Sequence, residues 1–137
     1  MDRLKTVAFR WVPVLAWMGI IYFFSSRPDL PHVDEPWLEL SLRKLAHAVE
    51  YAILGALLAR AIGIDGRRGL AFAAALGILY AASDEWHQTF VPGRKGNLID
   101  VTLDSVSAMA GAYLWFRFFT KKRDASITEA QRARRKA

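Results

Sequence analysis

Leu70 to Gln88 reads LAFAAALGILYAASDEWHQ. From Leu70 to Ala82 its one polar side chain is Tyr80, and then Asp84, Glu85, His87 and Gln88 arrive together. A helix that is apolar all round is either the buried centre of a soluble bundle or a membrane span. The first apolar stretch of the chain has the same character, because Trp11, Trp17, Tyr22, Phe23 and Phe24 leave it no polar face. Two such stretches favour the membrane. Charge inside a span is costly and by default marks a working site, so the acids and histidine that close this stretch are the first candidates for function.

The chain holds four apolar stretches: Val7 to Ser25, Leu42 to Ile62, Leu70 to Gln88 and Leu98 to Phe119. Each approaches the ~20 residues that cross a bilayer. Their uncharged cores, Trp11 to Ser26, Gly69 to Ser83 and Ser105 to Phe116 among them, are shorter, so each span carries polar residues at one end. The hydrophobic fraction of 53% is rich for one domain of 137 residues. Mean hydropathy is only +0.13 because polar connections and a basic tail dilute it. Cysteine is absent, which excludes disulfides and thiolate metal sites.

Charge in the connections orients the spans. The first follows Arg3, Lys5 and Arg10 and ends in Phe23-Phe24-Ser25-Ser26-Arg27, without a small-x-small cleavage pattern, so it reads as an uncleaved anchor. Ser26 to Glu39 holds Asp29, Asp34, Glu35 and Glu39 against Arg27, whereas the turn after the second span holds Arg67 and Arg68. Seven basic residues between Lys121 and Lys136, against Asp124 and Glu129, carry five of the six net positive charges. The positive-inside bias then places both termini and the Arg67-Arg68 turn in the cytoplasm. The expected fold is all-α: a four-helix transmembrane bundle over residues 1–119, with a basic cytoplasmic tail over 120–137. Arg94 and Lys95 fall outside against that bias, which suggests a local task for them. Small residues at four-residue spacing, Ala73, Gly77 and Ala81 in the third span and Ser107 and Gly111 in the fourth, suit close helix packing.

Residues three or four apart share a helix face. Lys44, His47 and Tyr51 therefore form one stripe with Glu50 on its flank; Asp84, His87 and Gln88 form a second; Asp100 and Asp104, continued by Ser107, form a third. Antiparallel spans bring all three to the outer end of the bundle. Glu50, Asp84 and Asp104 become a deeper acidic layer beneath Lys44, His47, His87 and Asp100. A plainer reading puts Lys44, Glu85 and Asp100 in the headgroup zone, with Lys44–Glu50 and Arg94–Asp100 as ion pairs that hold the bundle.

His47, Glu50, Asp84, His87 and Asp104 form the expected catalytic set. They offer carboxylate-oriented imidazoles for proton transfer, or ligands for a divalent zinc, manganese or iron ion. Lys44, Tyr51, Gln88, Arg94 and Asp100 form the expected binding set, with Lys44 and Arg94 on a phosphate or carboxylate group. No His-Glu-x-x-His signature, serine-nucleophile motif or Gly-rich phosphate loop is present. Pro92-Gly93 fits the centre of a type II turn that aims Arg94 back over the helix end. The tail suits anionic lipid rather than nucleic acid, because no aromatic platform accompanies its charge.

Lys44-x-x-His47-x-x-Glu50-Tyr51-x-x-Leu54-Gly55, Asp84-Glu85-x-His87-Gln88-x-Phe90-x-Pro92-x-Arg94 and Asp100-x-x-x-Asp104, with Ser25-Ser26-x-Pro28 before them, resemble the signature of VanZ-like membrane proteins. Ser105 and Ser107 stand where that family usually has a glycine after the second aspartate. The resemblance spans roughly Trp17 to Gly111. It implies a multi-pass protein of the bacterial cytoplasmic membrane, in a family named for reduced sensitivity to the glycopeptide antibiotic teicoplanin. The expected partners are the bilayer and a lipid-linked or anionic cell-envelope ligand, bound for acid/base or metal-assisted chemistry, or bound without chemistry.

Overall fold

The computed structural model describes residues 3–28, 35–64, 66–94 and 96–120. Four helices follow one another: α1 Arg3–Ser25, α2 Pro36–Ile62, α3 Gly66–Gln88 and α4 Leu98–Trp115, the last running into a π-helical turn at Phe116–Thr120. Each expected span coincides with a helix, and the differences lie at the ends. Helix α2 begins at Pro36 rather than Leu42, because Glu35 is extended and proline occupies the first helical position, where its missing N–H costs nothing. Arg43 pairs with Glu39 one turn back and supports these polar first turns. Gly63, at φ 62°, ends α2 in the left-handed conformation and donates its N–H to the Ala59 carbonyl. Asn97 caps α4 by accepting the Ile99 N–H at 3.0 Å. The basic tail beyond Thr120 lies outside the described residues.

Helix α2 packs most extensively on α4, then α3 on α4 and on α2. The α2–α4 seam is made by backbone. Gly111 lies so close to Ala52 that a Cβ there would sit 1.8 Å from the Ala52 carbonyl oxygen, and Gly55 meets the Ala108 carbonyl at 1.9 Å in the same way. On α3, Ala73, Gly77 and Ala81 are buried, as their spacing predicts. On α4 the buried small residues are Ser105, Ala108, Gly111 and Ala112, not Ser107, whose hydroxyl donates to the Leu103 carbonyl. One residue of helix rotation separates the two faces.

Helix α1 is attached differently. The Tyr80 hydroxyl donates to the Met18 carbonyl at 2.6 Å, and the Trp17 indole donates to the Glu50 carbonyl at 2.9 Å. Pro13 inside α1 has no N–H for the Phe9 carbonyl, and Arg60 of α2 donates to that oxygen while stacking on the Phe9 ring.

The interior is built from small side chains with Val14, Ile21, Tyr51, Leu54 and Leu58, while Phe9, Leu15, Leu45, Leu79, Trp86 and other large apolar residues face outward. Helices α1 and α2 are long and apolar enough to cross a membrane, over Leu4–Ser25 and Trp37–Ile62, and only 11% of the α1 window is buried. A soluble core helix would hide such a surface.

Candidate functional site

The start of α1 meets the end of α2 where Arg10 covers Gly63, and Gly69 near the start of α3 meets Phe116 after α4. The acidic and imidazole motifs gather at the opposite end of the bundle. Two cavities flank the C-terminal turns of α3 there.

The first, of about 300 Å³, lies between α2, α3 and α4 under the turn that follows α3, and its polar lining includes Lys44, His47, Glu85, Gln88, Arg94 and Asp104. Helix α2 supplies Lys44 and His47 from consecutive turns, and α4 supplies Asp100 and Asp104 opposite them. Lys44 Nζ pairs with Asp100 Oδ1 at 2.8 Å, and His47 Nδ1 lies 3.3 Å from Asp104 Oδ2. Asp104 is fully buried, and its other oxygen, Oδ1, has no hydrogen-bond partner. Tyr51 lies one turn below His47, also fully buried, with its ring roughly parallel to the imidazole.

The turn after α3 closes with the Arg94 N–H on the Val91 carbonyl at 3.1 Å, and Gly93 takes φ 78°, as the Pro92-Gly93 pair predicts. It sends the Arg94 guanidinium back over the end of α1. Nη2 donates to the Phe24 carbonyl and Nε to the Arg27 carbonyl, which caps a helix C-terminus with a cation. Nη1 donates to Gln88 Oε1 at 3.3 Å, and Gln88 Nε2 donates to Asp84 Oδ2 at 3.2 Å. Burial, chiefly, and the neighbouring Arg43 lower the Arg94 pKa from its ordinary value, against Asp84, Glu85 and Glu50, which raise it. Arginine starts so high that its charge persists at neutral pH.

Glu50 and Asp84 lie deeper, as the sequence implies. The Glu50 carboxylate interacts electrostatically with His47, Asp84, Asp104 and Arg94. Asp84 is buried with Oδ1 unpartnered, and the Tyr51 hydroxyl feels its charge without completing a hydrogen bond. His47, Glu50, Asp84 and Asp104 therefore form one cluster drawn from three helices.

His87 stands apart. It belongs to the second cavity, of about 430 Å³, with Tyr22, Tyr80 and Asp84. Its Nε2 is 3.0 Å from Ser26 Oγ and its ring lies 4.5 Å from that of Tyr22, so it faces α1. The ion pairs Lys44–Glu50 and Arg94–Asp100 are corrected as well, since Lys44 reaches across to Asp100 and Arg94 is drawn to the α1 carbonyls. Glu85, for which the plainer reading is a place in the headgroup zone, is 4% exposed and lines the first cavity, where its Oε2 accepts the Asn97 N–H at 2.9 Å. Arg43 joins the same lining. The signal for Glu85 was its place three residues before Gln88, on one helical face with it.

A model of the VanZ/LLP1 family matches residues 7–120, an interval that contains every residue of both cavities. This chain belongs to the VanZ/LLP1 family. No curated protein and no solved structure matches it. The match includes the three motifs from Lys44 to Asp104 and extends the likeness beyond them, over most of α1 and the end of α4.

Proposed function

We propose that this VanZ/LLP1 protein crosses the bacterial cytoplasmic membrane four times, with both termini cytoplasmic, and presents the His47 cavity to the outer side. The outward-facing apolar side chains, the two helices of spanning length and apolarity, and the position of Arg67 and Arg68 at the end away from the cavity support this reading. The absence of cysteine allows a direct test. In intact cells an impermeant maleimide is expected to label Thr89→Cys and not Arg67→Cys; the reverse pattern refutes the orientation.

The cavity binds an anionic cell-envelope group, such as the phosphate of a lipid or lipid-linked precursor. One observation carries this: Arg43, Lys44 and Arg94 line the same space as the His47–Asp104 pair. In this role the cations hold the anion, while His47 and Asp104, backed by Glu50 and Asp84, supply acid/base or metal-assisted chemistry. Gln88 and Tyr51 position that set, and His87 fixes α1 beside it. A non-enzymatic headgroup pocket is the second reading, favoured by the pairing of Lys44 with Asp100 and by the hydrogen bonds that already engage Arg94.

Short-chain phosphatidylglycerol is expected to raise the melting temperature of the purified protein and short-chain phosphatidylcholine to leave it unchanged, with the anionic lipid bound about tenfold more weakly by Arg43→Gln. Equal shifts from both lipids refute an anion site. If the purified wild type converts the bound anionic lipid on incubation, read by mass spectrometry, and a folded His47→Ala binds it normally without converting it, the chemical reading holds. Binding without conversion by the wild type selects the pocket without chemistry.

A further inference from the structure

Three cations approach the first cavity, and each has partners. Lys44 is held by Asp100, Arg43 by Glu39, and Arg94 by Gln88 and the carbonyls of Phe24 and Arg27. Asp104 and Glu85, both buried, receive no ion pair from any of them. Asp104 has His47 on one oxygen and nothing on the other; Glu85 has a backbone N–H on one oxygen. Buried carboxylates without a positive partner carry a large desolvation cost, which a proton or a metal cation removes.

The geometry suits a shared cation. His47, Glu85 and Asp104 each bring one ligand-type atom within 4.8 Å of the other two. Around a cation with bonds of about 2.1 Å, neighbouring ligands lie about 3–3.4 Å apart, so the His47–Asp104 separation already suits a shared ion. Glu85 brings a carboxylate oxygen within 4.8 Å of both. Its Oε2, held by the Asn97 N–H, resembles the outer hydrogen bonds that orient ligating carboxylates, and it leaves Oε1 for the ion. The three side chains come from α2, α3 and α4, so an ion would also tie those helices together.

We propose that His47, Glu85 and Asp104 form a binding site for one divalent transition-metal cation, with its remaining coordination positions open to the cavity. One imidazole with two carboxylates suits zinc, manganese or iron better than calcium or magnesium, which favour all-oxygen shells. The set differs from the one that helix periodicity suggests. Glu85 takes the place of Asp84 and His87, because the rotation of α3 turns Glu85 toward α4 and His87 toward α1, and Glu50 of α2 is not among the three. An ion here would meet an anionic group held by Arg43 and Arg94, yet the site stands whether or not that anion binds.

The full chain is purified in detergent, stripped with a chelator and titrated with Co²⁺ alone, followed by its visible absorption, with Zn²⁺ as competitor and no anionic lipid present. One equivalent is expected, displaced by Zn²⁺ and accompanied by a rise in melting temperature. Glu85→Gln and His47→Gln are expected to weaken it by about tenfold or more, and His87→Ala to leave it unchanged. Size exclusion and tryptophan fluorescence identify which variants remain folded, and the conservative Glu85→Gln keeps the test open if His47→Gln does not fold. The proposal is overturned if folded wild-type protein shows no saturable Co²⁺ binding, if folded Glu85→Gln binds as tightly as wild type, or if His87→Ala loses the ion. Repeating the phosphatidylglycerol titration in chelator separates failure of this site from failure of the anion reading.

Discussion

Helix α4 meets α2 through backbone, whereas α1 meets the rest of the bundle through hydrogen bonds from long side chains. At the first contact Gly55 and Gly111 let carbonyls of the facing helices approach where a methyl group would collide. At the second, Trp17, Tyr80 and Arg60 each reach one carbonyl oxygen, and Arg94 reaches those of Phe24 and Arg27. The difference assigns the two contacts different work. The α2–α4 seam sets the spacing between Lys44 and Asp100 and between His47 and Asp104, which it holds as a rigid frame. Helix α1 closes the flank, held by separate hydrogen bonds and by its buried Val14 and Ile21.

The sharpest way to break this contrast is Gly111→Val. Its side chain would overlap the Ala52 backbone, which cannot move without moving α2, so a loss of about 3 kcal/mol or more is expected, read as collapse of folded yield and melting temperature. A folded variant with normal stability would show that the seam is not rigid. Arg94→Gln is expected to cost about 1–2 kcal/mol, since it removes a cationic cap from exposed carbonyls. The loss should be local, with hydrogen exchange rising at the end of α1 while the α2–α4 seam stays protected. Uniform loosening would mean that α1 is part of the frame. Smallest, Tyr80→Phe removes one bond to Met18 and is expected to cost about 0.5–1.5 kcal/mol, measured by thermal melting, with no change in Co²⁺ binding.

Much of the architecture was legible from hydropathy, and the turn after α3 was legible from Pro92-Gly93. The cluster His47, Glu50, Asp84 and Asp104 followed from helix periodicity once the spans were taken as antiparallel. Glu85 and His87 were less legible. Asp84, Glu85, His87 and Gln88 spread over nearly half of the α3 surface, since successive residues are turned by about 100°. Any of them could face α4, and periodicity relates them without saying where the neighbours stand. Long cations posed a similar difficulty, because Lys44 and Arg94 can each reach several partners.

Local chemistry is enough to specify four helices and the antiparallel pairing that gathers the acids and imidazoles at one end of the bundle. These depend on side-chain apolarity, capping and connection length, all carried by residues adjacent in the chain. The partition of that cluster into a His47–Glu85–Asp104 group and a His87 contact with α1 is a tertiary outcome. Glycine contacts choose how far each helix rotates and how near it approaches, and a rotation by a single residue exchanges one side chain for another.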